Sequence, residues 1–221
     1  MSEFVFCLNT STIKPQPLLE KIRLAAAAGF AGVELWVNDV YEFIGQGGEV
    51  RDVEKALADH GLRVPCMIAT RNWGEAVGQE YRLALEETKR RLELAARLGS
   101  PWLVATPPRE PCELQQLTSR YTELLETGRQ VGCLPTFEYI SFFRSAFKLS
   151  HAWEVVHQSG DDDATLIYDS FHTWNSESPL DELRYIPASR ISHWHIDDAH
   201  PDMAATTQTD PNRVMPGDGQ I

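Results

Sequence analysis

Apolar positions along this chain follow two alternating periods. Short apolar runs of strand type are each followed by a longer stretch with apolar residues three and four apart, the helical spacing. The strand-like runs are Phe4–Leu8, Ala31–Val37, Leu62–Ile68, Pro101–Ala105, a run ending at Glu138, Leu166–Asp169 and Ile191–Ile196. Between them the pattern predicts helices over 15–28 (Leu18, Leu19, Ile22, Ala25 and Ala26 on one face), 49–60 (Val50, Val53, Leu57), 75–98 (Leu85, Leu92, Ala96) and 114–131 (Leu117, Tyr121, Leu124, Leu125). Gly29, Gly61 and Gly99 mark stops for the first three. A helix over 150–158 is expected with Ser150 as its cap, and a short one near 179–185 with Ser178 as its cap. Pro65 is awkward inside a strand, because proline removes a ladder donor. Asp161–Asp163 reads as a solvated acidic turn.

Seven strands alternating with six helices predict an α/β protein with a parallel sheet covered by helices. A doubly wound sheet usually carries a glycine-rich turn after its first strand. Here that turn is Asn9-Thr-Ser-Thr-Ile-Lys14, without glycine. The better expectation is a (β/α)8 TIM barrel, in which successive strands bring functional groups to one rim. A last helix and strand, about forty to sixty residues, are missing from the count of eight. Either the native polypeptide continues past Ile221, or the single domain 1–221 is an incomplete barrel with an open edge between its first and seventh strands.

Three residues end strand-like runs one structural period apart: Glu138, Asp169 and His195, separated by about 31 and about 26 residues. Parallel strands at that step lie side by side and point the same way, so their C-terminal ends meet. Two carboxylates and an imidazole gathered there make a divalent-metal site for Mn²⁺, Mg²⁺, Co²⁺ or Zn²⁺. Taken singly, Glu138 reads equally as a strand-end ion pair and Asp169 as a cap or turn residue. Glu34 and Trp36 share one face of the second strand; they either face a substrate at the barrel mouth or form a polar layer beneath it. Asn9 is a weaker substrate contact. Phe142, Phe143 and Trp174 either form an apolar lid or pack under loops.

Net charge narrows the partners. The chain carries −12, which argues against a nucleic-acid partner and against an anionic membrane surface. No apolar run approaches the roughly 20 residues of a membrane span. The start, Met1-Ser-Glu-Phe, lacks a basic segment followed by an apolar core, which predicts no secretory signal and, by default, a cytoplasmic location. Cys7, Cys66, Cys112 and Cys133 form no close C-x-x-C pair; they read as reduced thiols, mostly of the core.

At Glu138, Asp169-Ser-Phe-His172, His193-Trp-His-Ile-Asp-Asp198 and Arg213-Val-Met-Pro-Gly-Asp-Gly219, the sequence resembles the xylose isomerase-like TIM barrel superfamily of sugar isomerases and epimerases. That group includes sugar isomerases, ketose 3-epimerases, inosose dehydratases and isomerases, hydroxypyruvate isomerases and endonuclease IV. The resemblance implies metal ligands at Glu138, Asp169 and His195, with a second Glu on an eighth strand that this sequence lacks. It selects His195 over His193, which becomes a packed or supporting group. It implies Glu138 as the catalytic base. His172, expected on the loop after the sixth strand, either binds a substrate hydroxyl or assists proton transfer, or is a surface loop histidine; Arg213 either holds a substrate oxygen or is a solvated loop arginine. Arg144 stands where sugar epimerases of the group often carry a second acid, which weakens a ketose-epimerase assignment. The strands 64–68 and 102–105 contain no histidine, so the three-zinc DNA-repair branch does not fit. A homo-oligomer is also implied, since members are often dimers or tetramers.

The expected activity is a divalent-metal-dependent isomerase or epimerase acting on a small sugar, polyol or keto-acid through an enediolate, with a strand-end carboxylate as base. The alternatives are a lyase of inosose- or dehydroshikimate-dehydratase type on the same scaffold, and a non-catalytic sugar-binding degenerate barrel.

Overall fold

The computed structural model describes residues 4–221; the expectation of no secretory signal, drawn from Met1-Ser-Glu-Phe4, falls on Met1, Ser2 and Glu3, outside the described residues. Seven strands form one parallel sheet in chain order: β1 (Cys7–Asn9), β2 (Gly32–Trp36), β3 (Met67–Thr70), β4 (Trp102–Ala105), β5 (Leu134–Phe137), β6 (Leu166–Asp169) and β7 (Ile191–His195). Each pairs with its neighbours in sequence, which leaves β1 and β7 as edges. Yet His195 of β7 reaches Glu34 of β2 at 3.0 Å. The sheet is therefore curled through most of a barrel, with a gap where an eighth strand would stand.

Helices α1 (Leu18–Ala27), α3 (Val50–Asp59), α4 (Gly78–Arg97), α5 (Leu114–Val131) and α6 (Leu149–Gln158) follow the expected pattern. Two others, α2 (Val37–Gly45) and α7 (Ser170–Asn175), were not expected. In α2 the buried Val37 and Val40 take the inner face, three residues apart. The periodic signal was present, but the apolar run of β2 leads straight into it and masks the change of period. Pro65 moves β3 later than expected. Pairing with β2 begins at Arg63, whose carbonyl accepts the Val33 N–H at 2.8 Å, skips the proline, and resumes at Met67 opposite Leu35. β1 likewise starts at Cys7, leaving Phe4 and Phe6 exposed beside the open edge.

Two caps differ from expectation. Lys148 is the N-cap of α6, so Ser150 falls within the first turn. Pro179 precedes the 3-10 turn Leu180–Tyr185, and the Ser178 hydroxyl instead accepts the Leu149 N–H at 3.4 Å. The acidic turn is tied down: Arg129 binds both Asp161 and Asp163, at 2.8 Å to the latter.

Side-chain alternation along the strands makes two layers. Val33, Leu35, Met67 and Leu103 face outward and pack with Leu18, Ile22, Leu57 and Leu92 of the helices. Cys66, Ile68, Val104 and Ile167 face inward, packed against Trp36 and Trp102. Glu34 and Trp36 share the inward face of β2, opposite in direction to Val33 and Leu35. All four cysteines are free, with Cys66 and Cys133 buried.

Tyr121 of α5 joins a helix to two strands. Its ring is buried against Trp73 and Phe137, and its hydroxyl lies 2.8 Å from the Thr165 carbonyl and 3.0 Å from that of Pro135, while the Thr165 N–H donates to it at 3.3 Å. Phenylalanine would keep the ring contacts and leave these backbone groups short of a partner. Tyr121→Phe is expected to lower unfolding free energy by about 1–3 kcal/mol, measured by urea denaturation with an unchanged m-value.

Candidate metal centre

Asp169 is both the last residue of β6 and the N-cap of α7. Its Oδ1 accepts the His172 N–H at 2.6 Å, an N-cap hydrogen bond that anchors the carboxylate. That leaves Oδ2 facing the barrel mouth, 3.6 Å from His195 Nδ1 and 3.2 Å from Arg213 Nη1. Glu138 directly follows β5, where its N–H donates to the Ala105 carbonyl at 3.2 Å, and its Oε1 stands 3.6 Å from the same His195 Nδ1. Three strand ends that are far apart in sequence thus converge on one imidazole nitrogen.

The other nitrogen of that ring, Nε2, lies 3.1 and 3.0 Å from the two oxygens of Glu34. Glu34 is 1% exposed and also accepts a hydrogen bond from Asn9 Nδ2 at 2.8 Å. Burial alone would raise its carboxyl pKa; the attraction of His195, reinforced by the nearby His193, outweighs burial and holds it well below the usual carboxylate range. The same competition operates at Asp169, where burial is outweighed by Arg213, then His172 and His195, and the pKa falls. His195 responds oppositely. Burial would depress it, but Glu34 first, then Asp169 and Glu138, raise it well above the ordinary imidazole value.

These donors suit a divalent cation. An oxygen–nitrogen shell with bonds near 2.1 Å has tetrahedral edges of about 3.4 Å, close to the 3.6 Å separations at His195 Nδ1. Glu138, Asp169 and His172 each offer an atom within 4.8 Å of the others, and so do Glu34, His193 and His195. Four carboxylates (Glu34, Glu138, Asp169, Asp197) face Arg213 and the His195 ring, a surplus of negative charge that a dication would balance.

His172 is on α7 rather than in a loop, and it is 2% exposed. Burial pulls its pKa below the ordinary value, partly offset by Asp169. Arg213 Nη2 donates to its Nε2 at 2.9 Å. Its Nδ1 accepts the Ser141 N–H at 3.3 Å and lies 3.0 Å from the Ser141 hydroxyl. Arg213 also pairs with Asp197, and its guanidinium lies over the Phe171 ring at 4.4 Å.

Asp197 was not among the expected site residues, although it lies inside the His193–Asp198 motif. It anchors Arg213 and accepts the Phe171 N–H at 3.2 Å. Burial, then the neighbouring Asp169, push its carboxyl upward. Its neighbour Asp198 organises the segment that delivers Arg213. Asp198 accepts the backbone N–H groups of Ala199 and Ile221 at 2.8 Å, Gly217 at 3.0 Å and Gly219 at 3.1 Å. A side chain at Gly219 would collide with the Ala199 carbonyl and with Asp198 itself.

Of the remaining expected residues, Glu34 lies beneath His195 and not at an open mouth. Trp36 is half-buried and donates to the Ser11 hydroxyl at 2.8 Å. It borders a cavity of about 150 Å³ lined also by Asn38, Ala69, Arg71, Asn72, Glu87 and Arg91. Phe142 packs against His172 at 5.5 Å between ring centroids. Arg144 pairs with Glu110 on the surface.

Fold and donor cluster together define a parallel barrel with carboxylate and imidazole side chains at the C-terminal strand ends. The sequence profile of the xylose isomerase-like TIM barrel family matches residues 22–221, and the chain belongs to that family. Among curated relatives, the chain is 24% identical to an inosose isomerase of Bacillus velezensis over 223 residues, covering 97% of this chain and 79% of that protein. It is 28% identical to a 3-dehydroshikimate dehydratase of Pseudomonas aeruginosa over 192 residues, covering 82% of this chain but only 29% of the dehydratase's length. Among solved structures, the IOLI protein, determined with a bound zinc atom, superposes with a TM-score of 0.91 at 22% identity, covering 99% of this chain and 81% of that one. Among the described residues, no helix is long and apolar enough to cross a membrane.

Asp198→Ala would release four backbone donors at once. The expected result is amide exchange at Gly217, Gly219 and Ile221 accelerated about tenfold or more, with cleavage by added protease confined to 200–221.

Proposed function

We propose that this chain is a divalent-metal-dependent isomerase acting on a keto-polyol of the inosose class, with Glu138, Asp169 and His195 as metal ligands. One observation carries the reading: Glu138 and Asp169 both stand 3.6 Å from His195 Nδ1. The relationship to the Bacillus inosose isomerase, which spans nearly the whole chain, supports the substrate class.

A cation held there would polarise a substrate carbonyl and acidify the adjoining C–H. Glu138, whose side chain is 12% exposed, is the carboxylate positioned to take that proton. His172 Nε2 and Arg213 form a fixed pair beside the same site, placed to hold substrate oxygens. The Asp169 cap and the Arg213–Asp197 pair keep these groups in place before substrate arrives. Trp36 is positioned to wall one side of the mouth. Four free thiols suit a reducing compartment, which supports action in the cytoplasm.

The 28% identity to the Pseudomonas dehydratase supports a second reading, in which proton removal is followed by loss of a β-hydroxyl as water. Both readings share the base and separate at the product.

The test supplies the protein with Mn²⁺ or Zn²⁺ and offers 2-keto-myo-inositol in D₂O, and 3-dehydroshikimate in a parallel reaction. Isomerisation is expected to place deuterium on the carbon beside the carbonyl, followed by NMR. An ultraviolet-absorbing unsaturated product from dehydroshikimate would instead support the lyase. Glu138→Gln is expected to slow either reaction by about 10²- to 10⁴-fold. Substrate binding without exchange or product would reject both activities and leave a sugar-binding barrel. Separately, titration with Zn²⁺ is expected to give a metal-loaded chain whose occupancy is lost in Asp169→Ala and His195→Ala, read by metal analysis after gel filtration.

A further inference from the structure

A histidine can serve a metal through either nitrogen, and the choice decides where the rest of the shell must lie. At His195 the two nitrogens have distinct surroundings. Nε2 meets both oxygens of Glu34 at 3.1 and 3.0 Å, while Nδ1 faces Asp169 and Glu138 at 3.6 Å. We infer that Glu34 is a positioning residue: it binds the Nε2–H of His195 and thereby presents Nδ1 to the carboxylates of β5 and β6. This rests on the metal-site reading above and adds a role for a residue outside the ligand set.

Glu34 is built to be immovable. Its side chain is 2% exposed, Asn9 Nδ2 donates to Oε2 at 2.8 Å, and the Thr10 hydroxyl donates to its carbonyl at 2.9 Å. Parallel pairing sets Glu34 opposite Asn9, so the sheet itself brings that amide to the carboxylate. A ring flip of His195 would turn a C–H edge toward Glu34 and leave a buried carboxylate short of a donor, which is strongly unfavourable. The neighbouring imidazole does not replace it. His193 Nε2 lies 3.3 Å from Glu34 Oε1 but makes no hydrogen bond, and its Nδ1 faces the Ser192 hydroxyl at 2.9 Å. At 1% exposure, the Glu34 carboxylate is also shielded from solvent. A carboxylate behind a metal-binding imidazole fixes its tautomer and raises its basicity, an effect worth about 10- to 100-fold in metal affinity.

The test uses the full chain and Co²⁺ or Zn²⁺ alone. Glu34→Ala is expected to weaken metal binding by about 10- to 100-fold. Glu34→Gln, whose amide oxygen still accepts the Nε2–H, is expected to recover part of that loss. Thermal unfolding of the metal-free variants checks that both fold. Should the alanine variant fail to fold, wild-type protein with ¹⁵N-labelled histidine decides the matter. Long-range ¹H–¹⁵N spectra with Zn²⁺ are expected to show His195 Nε2 protonated and Nδ1 bound to metal. Unchanged affinity in the folded variants, metal on Nε2, or a second metal equivalent held by Glu34 and His193 would each overturn the inference while the metal site stood. Absence of metal binding by the wild-type chain would overturn both.

Discussion

Carboxylates from β2, β5 and β6 point at one imidazole on β7, and this convergence is the constraint on which the rest of the site depends. Like charges brought into a low-dielectric interior repel strongly unless a cation stands among them. His195 meets that need from both sides of its ring, toward Glu34 at one nitrogen and toward Asp169 and Glu138 at the other. The barrel gathers these groups because parallel strands run in register with their C-terminal ends on one rim. A cation-binding arrangement arises from that geometry before any substrate is considered.

The surrounding structure uses each polar group more than once. Asp169 caps α7 with one oxygen and faces His195 with the other, so the helix start and the placing of that carboxylate are one structural event. His172, three residues later, is carried into the site by the same helix. Arg213 then ties Asp169, Asp197 and His172 together from a segment far along the chain. That segment has little regular structure, a two-strand pairing of β8 (Asp198–Ala199) with β9 (Arg213–Val214), and is held chiefly by Asp198 collecting backbone N–H groups. Two adjacent aspartates thus divide the work: Asp197 holds the arginine side chain, and Asp198 holds the backbone that presents it.

The curated relatives, an inosose isomerase and a 3-dehydroshikimate dehydratase, are named for different reactions. Isomerisation returns the proton elsewhere, whereas dehydration expels a hydroxyl. Trp36 at the end of β2 borders the cavity beside Arg71 and Arg91, and Phe142 packs on His172.

Much of this was legible in the amino-acid order. Alternating periods gave α5 and β6 at their observed bounds, because long apolar faces and short uninterrupted runs are local signals. The spacing of Glu138, Asp169 and His195 gave their convergence, because a repeating strand-helix unit turns sequence distance into lateral position. Pairing partners were not legible. That Glu34 sits beneath His195, that Asp197 rather than solvent receives Arg213, and that Pro65 shifts β3 all depend on which strands become neighbours as the sheet curls. Residue type and spacing determined the fold class and the chemistry at the strand ends. Only the curvature of the sheet, which brings Glu34 of β2 within hydrogen-bond reach of β7, decided which side chains meet His195.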